Sequence, residues 1–249
     1  MTSKEFINPD RHKKIIDKSL NQITPELTGS VDIGWIASYT SGVRVPSVDE
    51  ASAIAVDGQG NVYVTGRSFG SGSGYDYATI KYNSSGVEQW VARYNGPTGD
   101  EDRATAIAVD GQGNVYVTGG SGSAALKDYA TIKYNSQGIV QWVARYDGSG
   151  NFIDEAKALA VDGQGNVYVT GLSYGSGTTY DYATIKYNSS GVVQWVKRYN
   201  GPANAEDEAT AIAVDGEGNV YVTGYSYGSG TLGDYATIKY NSSGVIQWV

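Results

Sequence analysis

The chain has 249 residues, 34 of them glycine and 21 tyrosine, with a formal net charge of -8, a pI near 4.6 and a mean hydropathy of -0.33. Such acidity leaves no basic surplus to displace counterions from a nucleic-acid backbone, so nucleic acid is excluded as a partner. The absence of cysteine removes disulfides, thiolate metal sites and cysteine nucleophiles, and no run of 18 apolar residues offers membrane insertion.

Residues 1–30 differ in character from the rest of the chain. They hold the only histidine, His12, inside the basic cluster Arg11, His12, Lys13 and Lys14, and no glycine before Gly29. Asp10 could cap a short helix through Leu20 with Ile15, Ile16 and Leu20 on one side, so the segment reads as an N-terminal arm. It lacks the continuous apolar core of a signal peptide, which leaves the compartment open.

From Asp32 the sequence becomes repetitive. DIGWIASYTSG aligns with VEQWVARYNGP at 87–97, Trp35 standing where Trp90 stands, so the chain enters a repeat at its final segment. AIAVDGQGNVYVTG at 53–66 then returns at 106–119, as ALAVDGQGNVYVTG at 158–171 and as AIAVDGEGNVYVTG at 211–224. Asp57, Asp110, Asp162 and Asp215 lie 53, 52 and 53 residues apart, a period that signals stacked or radial units.

Each full unit holds four short runs of β-branched and aromatic residues, in the first unit SAIAVD, NVYVTG, DYATIKYN and VEQWVARY. The first and second are joined by DGQG and the third and fourth by NSSG, both suited to tight hairpins. The other connections, Gly66 to Asp76 and Tyr94 to Ala104, are longer. Because antiparallel strands alternate direction, the long loops emerge together at one end of every unit.

A four-stranded unit with two apolar faces must bury both against neighbours, and radial repetition does so. The expected fold is therefore all-β, a β-propeller of four-stranded antiparallel blades. Its blades fall at about 50–97, 103–148, 155–201 and 208–249, with an extra N-terminal strand at 33–40. That strand could close the ring beside or in place of the last one, which stops at Trp248 and Val249. Completion of a larger ring by further repeats or by another subunit is the alternative, and the near identity of the units makes a homo-oligomer an expected partner arrangement.

The string AIAVDGQGNVYVTG, followed by YDYATIKYNSSG and QWVARYNG, resembles the bacterial SBBP family of "seven-bladed β-propeller" repeats and, more distantly, NHL repeats. The resemblance spans roughly residues 32–249 and implies a propeller, usually in secreted or cell-envelope proteins, with no single activity attached. Four units stand here in place of seven.

Acids gather at the long-loop end: Asp49 and Glu50; Asp100, Glu101 and Asp102; Asp154 and Glu155; Glu206, Asp207 and Glu208; and, before each third run, Asp76, Asp128, Asp181 and Asp234. As oxygen ligands they could hold Ca²⁺, with Asp102, Asp154 and Asp207 the metal candidates and no other cofactor implied. The favoured reading is structural: each acid pairs with Lys81, Lys133, Lys186 or Lys239, or caps nearby backbone. The recurring tryptophans are likewise read as packing in preference to sugar stacking.

Residues that break the repeat are better ligand candidates, because loops on a rigid scaffold carry recognition. These are Phe69, Tyr174, Tyr225 and Tyr227, with Arg44 and Phe152 in the other set of loops. The repeat region has no histidine, which excludes a Ser-His-Asp arrangement and a histidine-ligated metal. The expected function is a non-catalytic scaffold or binding module presenting its long-loop face to a protein or glycan. The rivals are a carboxylate-dependent enzyme or Ca²⁺-dependent lectin on that face, and a recently amplified or designed repeat with no evolved ligand.

Overall fold

The computed structural model describes residues 34–42, 48–70, 74–150, 152–175, 177–230 and 232–249. The chain divides into two units, Met1–Ile36 and Ala37–Val249. The arm and helix expected over 1–30 lie outside the described residues.

The second unit is four antiparallel meanders of four strands each. The first sheet is β1 (Asp49–Val56), β2 (Val62–Gly70), β3 (Gly74–Tyr82) and β4 (Glu88–Tyr94), and the second β5 (Glu101–Val109), β6 (Val115–Gly122), β7 (Lys127–Tyr134) and β8 (Val140–Tyr146). The third is β9 (Asp154–Val161), β10 (Val167–Tyr174), β11 (Tyr180–Tyr187) and β12 (Val193–Tyr199). The fourth is β13 (Asp207–Val214), β14 (Val220–Tyr227), β15 (Gly233–Tyr240) and β16 (Ile246–Trp248). The four units of the sequence are thus four blades, with no helix among the described residues.

Local chemistry fixes each hairpin. In the turn between β9 and β10, Asp162 Oδ1 accepts from the backbone N–H of Gln164 and Asn166, both at 2.9 Å, and Gly165 takes a φ of +78°. The other carboxylate oxygen accepts from Asn166 Nδ2 at 2.7 Å and from the Tyr168 hydroxyl at 2.9 Å, tying the turn to a buried ring. Asp57, Asp110 and Asp215 repeat the arrangement. Burial works to raise these carboxyls, but at Asp57, Asp110 and Asp162 the hydrogen bonds from asparagine, tyrosine and backbone outweigh it and hold them below the ordinary 3.8. At Asp215 the asparagine bond is the leading cause, and its carboxyl sits at about 2.

A depressed folded-state pKa contributes stability that is present above the ordinary carboxylate range and is lost as pH falls through the folded value. The protein is therefore expected to lose stability between about pH 4 and pH 2 as these turns protonate. Asp162→Asn removes one of the four charges and turns an amide N–H donor toward two groups that themselves donate; it should cost about 1–3 kcal/mol at pH 7 and less at pH 2.5. Urea melts at the two pH values check this, and an equal cost at both would contradict it.

Blades pack face to face through one repeated seam. Tyr116 and Tyr129 of the second blade, with Trp142, Ala144 and Tyr146 at its edge, lie on Ala156, Leu159, Val161, Val167, Val169, Ala183, Ile185 and Tyr187 of the third. The first–second and third–fourth seams use the equivalent residues. Hydrogen bonds also cross the seam: the hydroxyls of Tyr77, Tyr129 and Tyr182 donate to the carbonyls of Ala130, Ala183 and Ala236 at 3.2–3.3 Å. Indole N–H groups of Trp90, Trp142 and Trp195 donate to the carbonyls of Ser136, Ser189 and Ser242. The tryptophans are seam residues, as the packing reading expected.

Among the described residues, the fourth sheet does not pack face to face on the first. The segment expected as a closing strand makes no ladder over its described residues, 34–40. Within the second unit, Ala37 and Tyr39 instead pack against Ala78, Ile80 and Tyr82 of the first blade. They hold the station that Ala92 and Tyr94 hold on the second blade.

Candidate functional site

The long-loop end is built from three identical networks. Arg145, on β8, donates through Nη1 to the Tyr94 hydroxyl at 3.0 Å and to Ser121 Oγ at 2.6 Å, and through Nη2 to the Ser121 carbonyl at 3.1 Å and Asp128 Oδ2 at 2.8 Å. Arg93 makes the same set with Tyr39, Ser68 and Asp76, and Arg198 with Tyr146, Ser173 and Asp181. Arg145 and Arg198 thus join two strands of their own blade to the last-strand tyrosine of the one before, and Arg93 does the same with Tyr39, ahead of the first blade.

This corrects the expected lysine pairing. Lys81 and Asp76 sit at opposite ends of β3, roughly 16 Å apart at the rise of an extended strand, whereas β4 brings Arg93 beside Asp76, with Ala78 opposite Arg93 in register. The lysines lie over tyrosine rings instead, at 5.1–5.3 Å from the centroids of Tyr63, Tyr116, Tyr168 and Tyr221.

The metal candidates Asp102, Asp154 and Asp207 are buried, and each caps a loop within its own seam, accepting at 2.6 Å from the backbone N–H of Gly96, Gly148 and Gly201 respectively. Burial raises the carboxyls of Asp102 and Asp154, and the hydrogen bonds from glycine N–H and serine only partly offset it. Their role fits the backbone-capping reading. Among the described residues, Asp154 alone of these has such company, Asp128 and Asp147 bringing one oxygen each within 4.8 Å of the others. Burial and then Asp128 push Asp147 upward, against a downward pull from Arg145. Two of these three acids are already engaged, by Arg145 and by Gly148 N–H.

The β-propeller repeat profile, SBBP, matches four times, at residues 39–72, 89–124, 141–177 and 194–230, together more than half of the chain. The chain belongs to the SBBP β-propeller repeat family. No curated protein sequence matches it. Among solved structures it is similar to a protein of unknown function from Bacteroides caccae, at 15% identity and a TM-score of 0.47, over 80% of this chain and 66% of that one. It is also similar to a GH43 endo-arabinanase from Bacillus licheniformis, at 12% identity and a TM-score of 0.27, over 79% of this chain and 96% of that one.

In the SBBP blades the residues that break the repeat do collect at the long-loop end, in small aromatic groups. Phe69 meets Tyr75 edge-on at 5.3 Å; Tyr174 lies 4.6 Å from Phe152 and 5.5 Å from Tyr180; Tyr225 lies 6.1 Å from Tyr227. Phe152 is exposed, the others partly so, and the Tyr225 hydroxyl donates to Glu206 at 2.8 Å. Arg44 lies outside the described residues. The second SBBP blade has Gly122 and Leu126 at this end and no such ring pair.

Beside the rings, blade-specific charges cross the seams. Arg67 pairs with Glu50 of its own blade and Glu101 of the next, both at 3.0 Å, and lies 4.7 Å from the centroid of Tyr75; Lys157 bridges Glu155 at 3.1 Å and Glu208 at 3.4 Å. Tyr75, Tyr180 and the network arginines were missed in the sequence: Tyr75 and Tyr180, which give way to Lys127 and Gly233 in the other two blades, open the third run beside its ordinary tyrosines, and a recurring arginine carries no sign of a special role. A cleft of about 460 Å³ opens at the opposite, short-turn end, lined by Asp110, Gln112, Tyr116, Lys133, Asp162 and Gln164 among others. Those residues are accounted for by turn formation.

Proposed function

We propose that the protein is a non-catalytic binding module whose long-loop end takes a glycan or protein surface. The observation that carries this is the division of labour at that end. The repeated acids and arginines are consumed in holding loops and seams, while the residues that differ between blades supply partly exposed rings at Phe69 and Tyr75, at Phe152, Tyr174 and Tyr180, and at Tyr225 and Tyr227. Exposed rings set on rigid hairpins offer apolar faces at little entropic cost, which suits the face of a sugar ring or an apolar side chain.

A glycan array followed by titration of the best ligand tests it. Phe152→Ala or Tyr174→Ala should weaken binding about tenfold without product formation, the loss of one stacked ring being worth about 1–2 kcal/mol. Full affinity in both variants would place the ligand elsewhere, and turnover would end the non-catalytic reading. The Asp128, Asp147 and Asp154 cluster supports a second, Ca²⁺-dependent version. It requires a Ca²⁺-induced rise in Tm that EDTA reverses and that Asp147→Asn abolishes; asparagine already stands at the equivalent positions 95 and 200, so the variant should fold.

A further inference from the structure

We propose that the open face of the fourth blade docks, head to tail, on the open face of the first blade of a second copy, so that two copies close one ring. This is independent of the proposed binding role and uses none of the aromatic residues assigned to it.

Each internal seam joins a tyrosine face to an aliphatic face, and the two ends of the array present one of each. On the fourth blade, Tyr221, Tyr235 and Trp248 stand where Tyr168, Tyr182 and Trp195 stand on the third. Among the described residues no further blade lies on them: Tyr235 is 96% and Trp248 47% exposed, whereas Tyr77, Tyr129 and Tyr182 are all at 0%. On the first blade, Ile54 is 66% and Val56 59% exposed, and Ala51 is exposed, whereas Ala104, Ala156 and Ala209, its equivalents, are fully buried. Three copies of the interface these faces would form are already present in the chain.

The edge of the seam is complementary as well. At the first seam the edge tryptophan, Trp90, is accompanied by Ala92 and Tyr94. Those stations on the first blade are already filled by Ala37 and Tyr39, with the Tyr39 hydroxyl accepting from Arg93 at 3.0 Å. A docked seam would thus draw its tryptophan from one copy and its alanine and tyrosine from the other. By equivalence, the Tyr235 hydroxyl would donate to the Ala78 carbonyl, and the Trp248 indole to the Ser84 carbonyl. The contact is heterologous, and two copies of four blades bring the ring to eight, within the range propellers adopt.

Light scattering on the full chain across a concentration series tests this, with Ile54→Asp and Tyr235→Asp as variants. Both side chains are exposed, so each variant should keep the parent's circular dichroism. The parent should run at twice 26.4 kDa and each variant as a monomer; an equimolar mixture of the two should recover a pair, because each still carries one intact face. Hydroxyl-radical labelling of Tyr235 should fall at least several-fold in the parent pair relative to the Ile54→Asp monomer. A parent that stays monomeric at tens of micromolar would overturn the proposal, and if its Tyr235 were also protected the face would be covered from within the chain. Association that survives both substitutions, or assembly beyond two copies, would overturn it too.

Discussion

Gly171→Ala is expected to lower Tm by roughly 6–12 °C, about 3 kcal/mol or more at 2–4 °C per kcal/mol for a chain of this size. The cause is geometric. Between Ala156 and Ala158 the β9 strand carries one extra residue, Lys157, so the β9–β10 register slips at Gly171 and the backbone of β9 kinks onto that glycine. A β-carbon at residue 171 would stand 2.1 Å from the Glu155 carbonyl oxygen and 2.9 Å from both Ala156 Cα and the Tyr129 hydroxyl. Two of these are backbone atoms and the third belongs to the seam, so relief means opening the bulge or parting the blades. Gly66, Gly119 and Gly224 face the same carbonyl at 1.9–2.1 Å and should behave alike. Gly163→Ala, where a β-carbon meets nothing within 4 Å, is the control and should stay within about 0.5 kcal/mol of the parent. Equal melting of the two variants would contradict the bulge as the source of the cost.

The second large effect is expected from Arg198→Ala, at about 2–4 kcal/mol. The guanidinium holds the Asp181 carboxylate at 2.8 Å, the Ser173 carbonyl at 2.7 Å, the Ser173 hydroxyl, and the Tyr146 hydroxyl of the preceding blade at 3.3 Å. Asp181 is buried, and removing its partner strands a carboxylate that, among the described residues, keeps the Thr178 hydroxyl, at 3.1 Å. Because that stranded charge carries much of the cost, Asp181→Ala in the same chain should return part of it. A double-mutant cycle is expected to show coupling of about 1 kcal/mol or more, and additive losses would mean the pair is a surface contact of little consequence.

These two effects mark the line between what the sequence shows and what it hides. The glycine was visible only as the residue that closes the second run of every unit; the sequence placed the long connection from Gly66 onward, whereas the strand continues through it to Gly70 and the bulge lies opposite it. The hairpins were visible, Asp and Asn followed by a left-handed glycine being turn chemistry that acts over five residues. Arg198 was not, because an arginine in an edge strand reads as solvated until the register of β11 against β12 sets it beside Asp181. The lysine pairing failed for a related reason, since proximity in sequence along an extended strand is distance in space.

The site divides in the same way. Phe69, Phe152, Tyr174, Tyr225 and Tyr227 were legible as departures from the repeat, but their partners Tyr75 and Tyr180 were hidden by resembling ordinary strand tyrosines. An incomplete ring was among the expectations, but the residues left exposed at its two ends could not be read. Ile54 has the same neighbours in sequence as Ile107, and only the packing of whole blades separates the exposed residue from the partly covered one.

The central claim is that successive blades meet through one and the same seam, and spin-label distances test it most directly. The chain has no cysteine, and the exposed turn positions Ser85, Gln137, Ser190 and Ser243 are equivalent in the four blades, so cysteines can be placed there in pairs. The account predicts that pairs 85/137, 137/190 and 190/243 share one narrow distance and that 85/190 is longer. Broad or unequal distances among the three neighbouring pairs would show blades strung without a common seam and would contradict it.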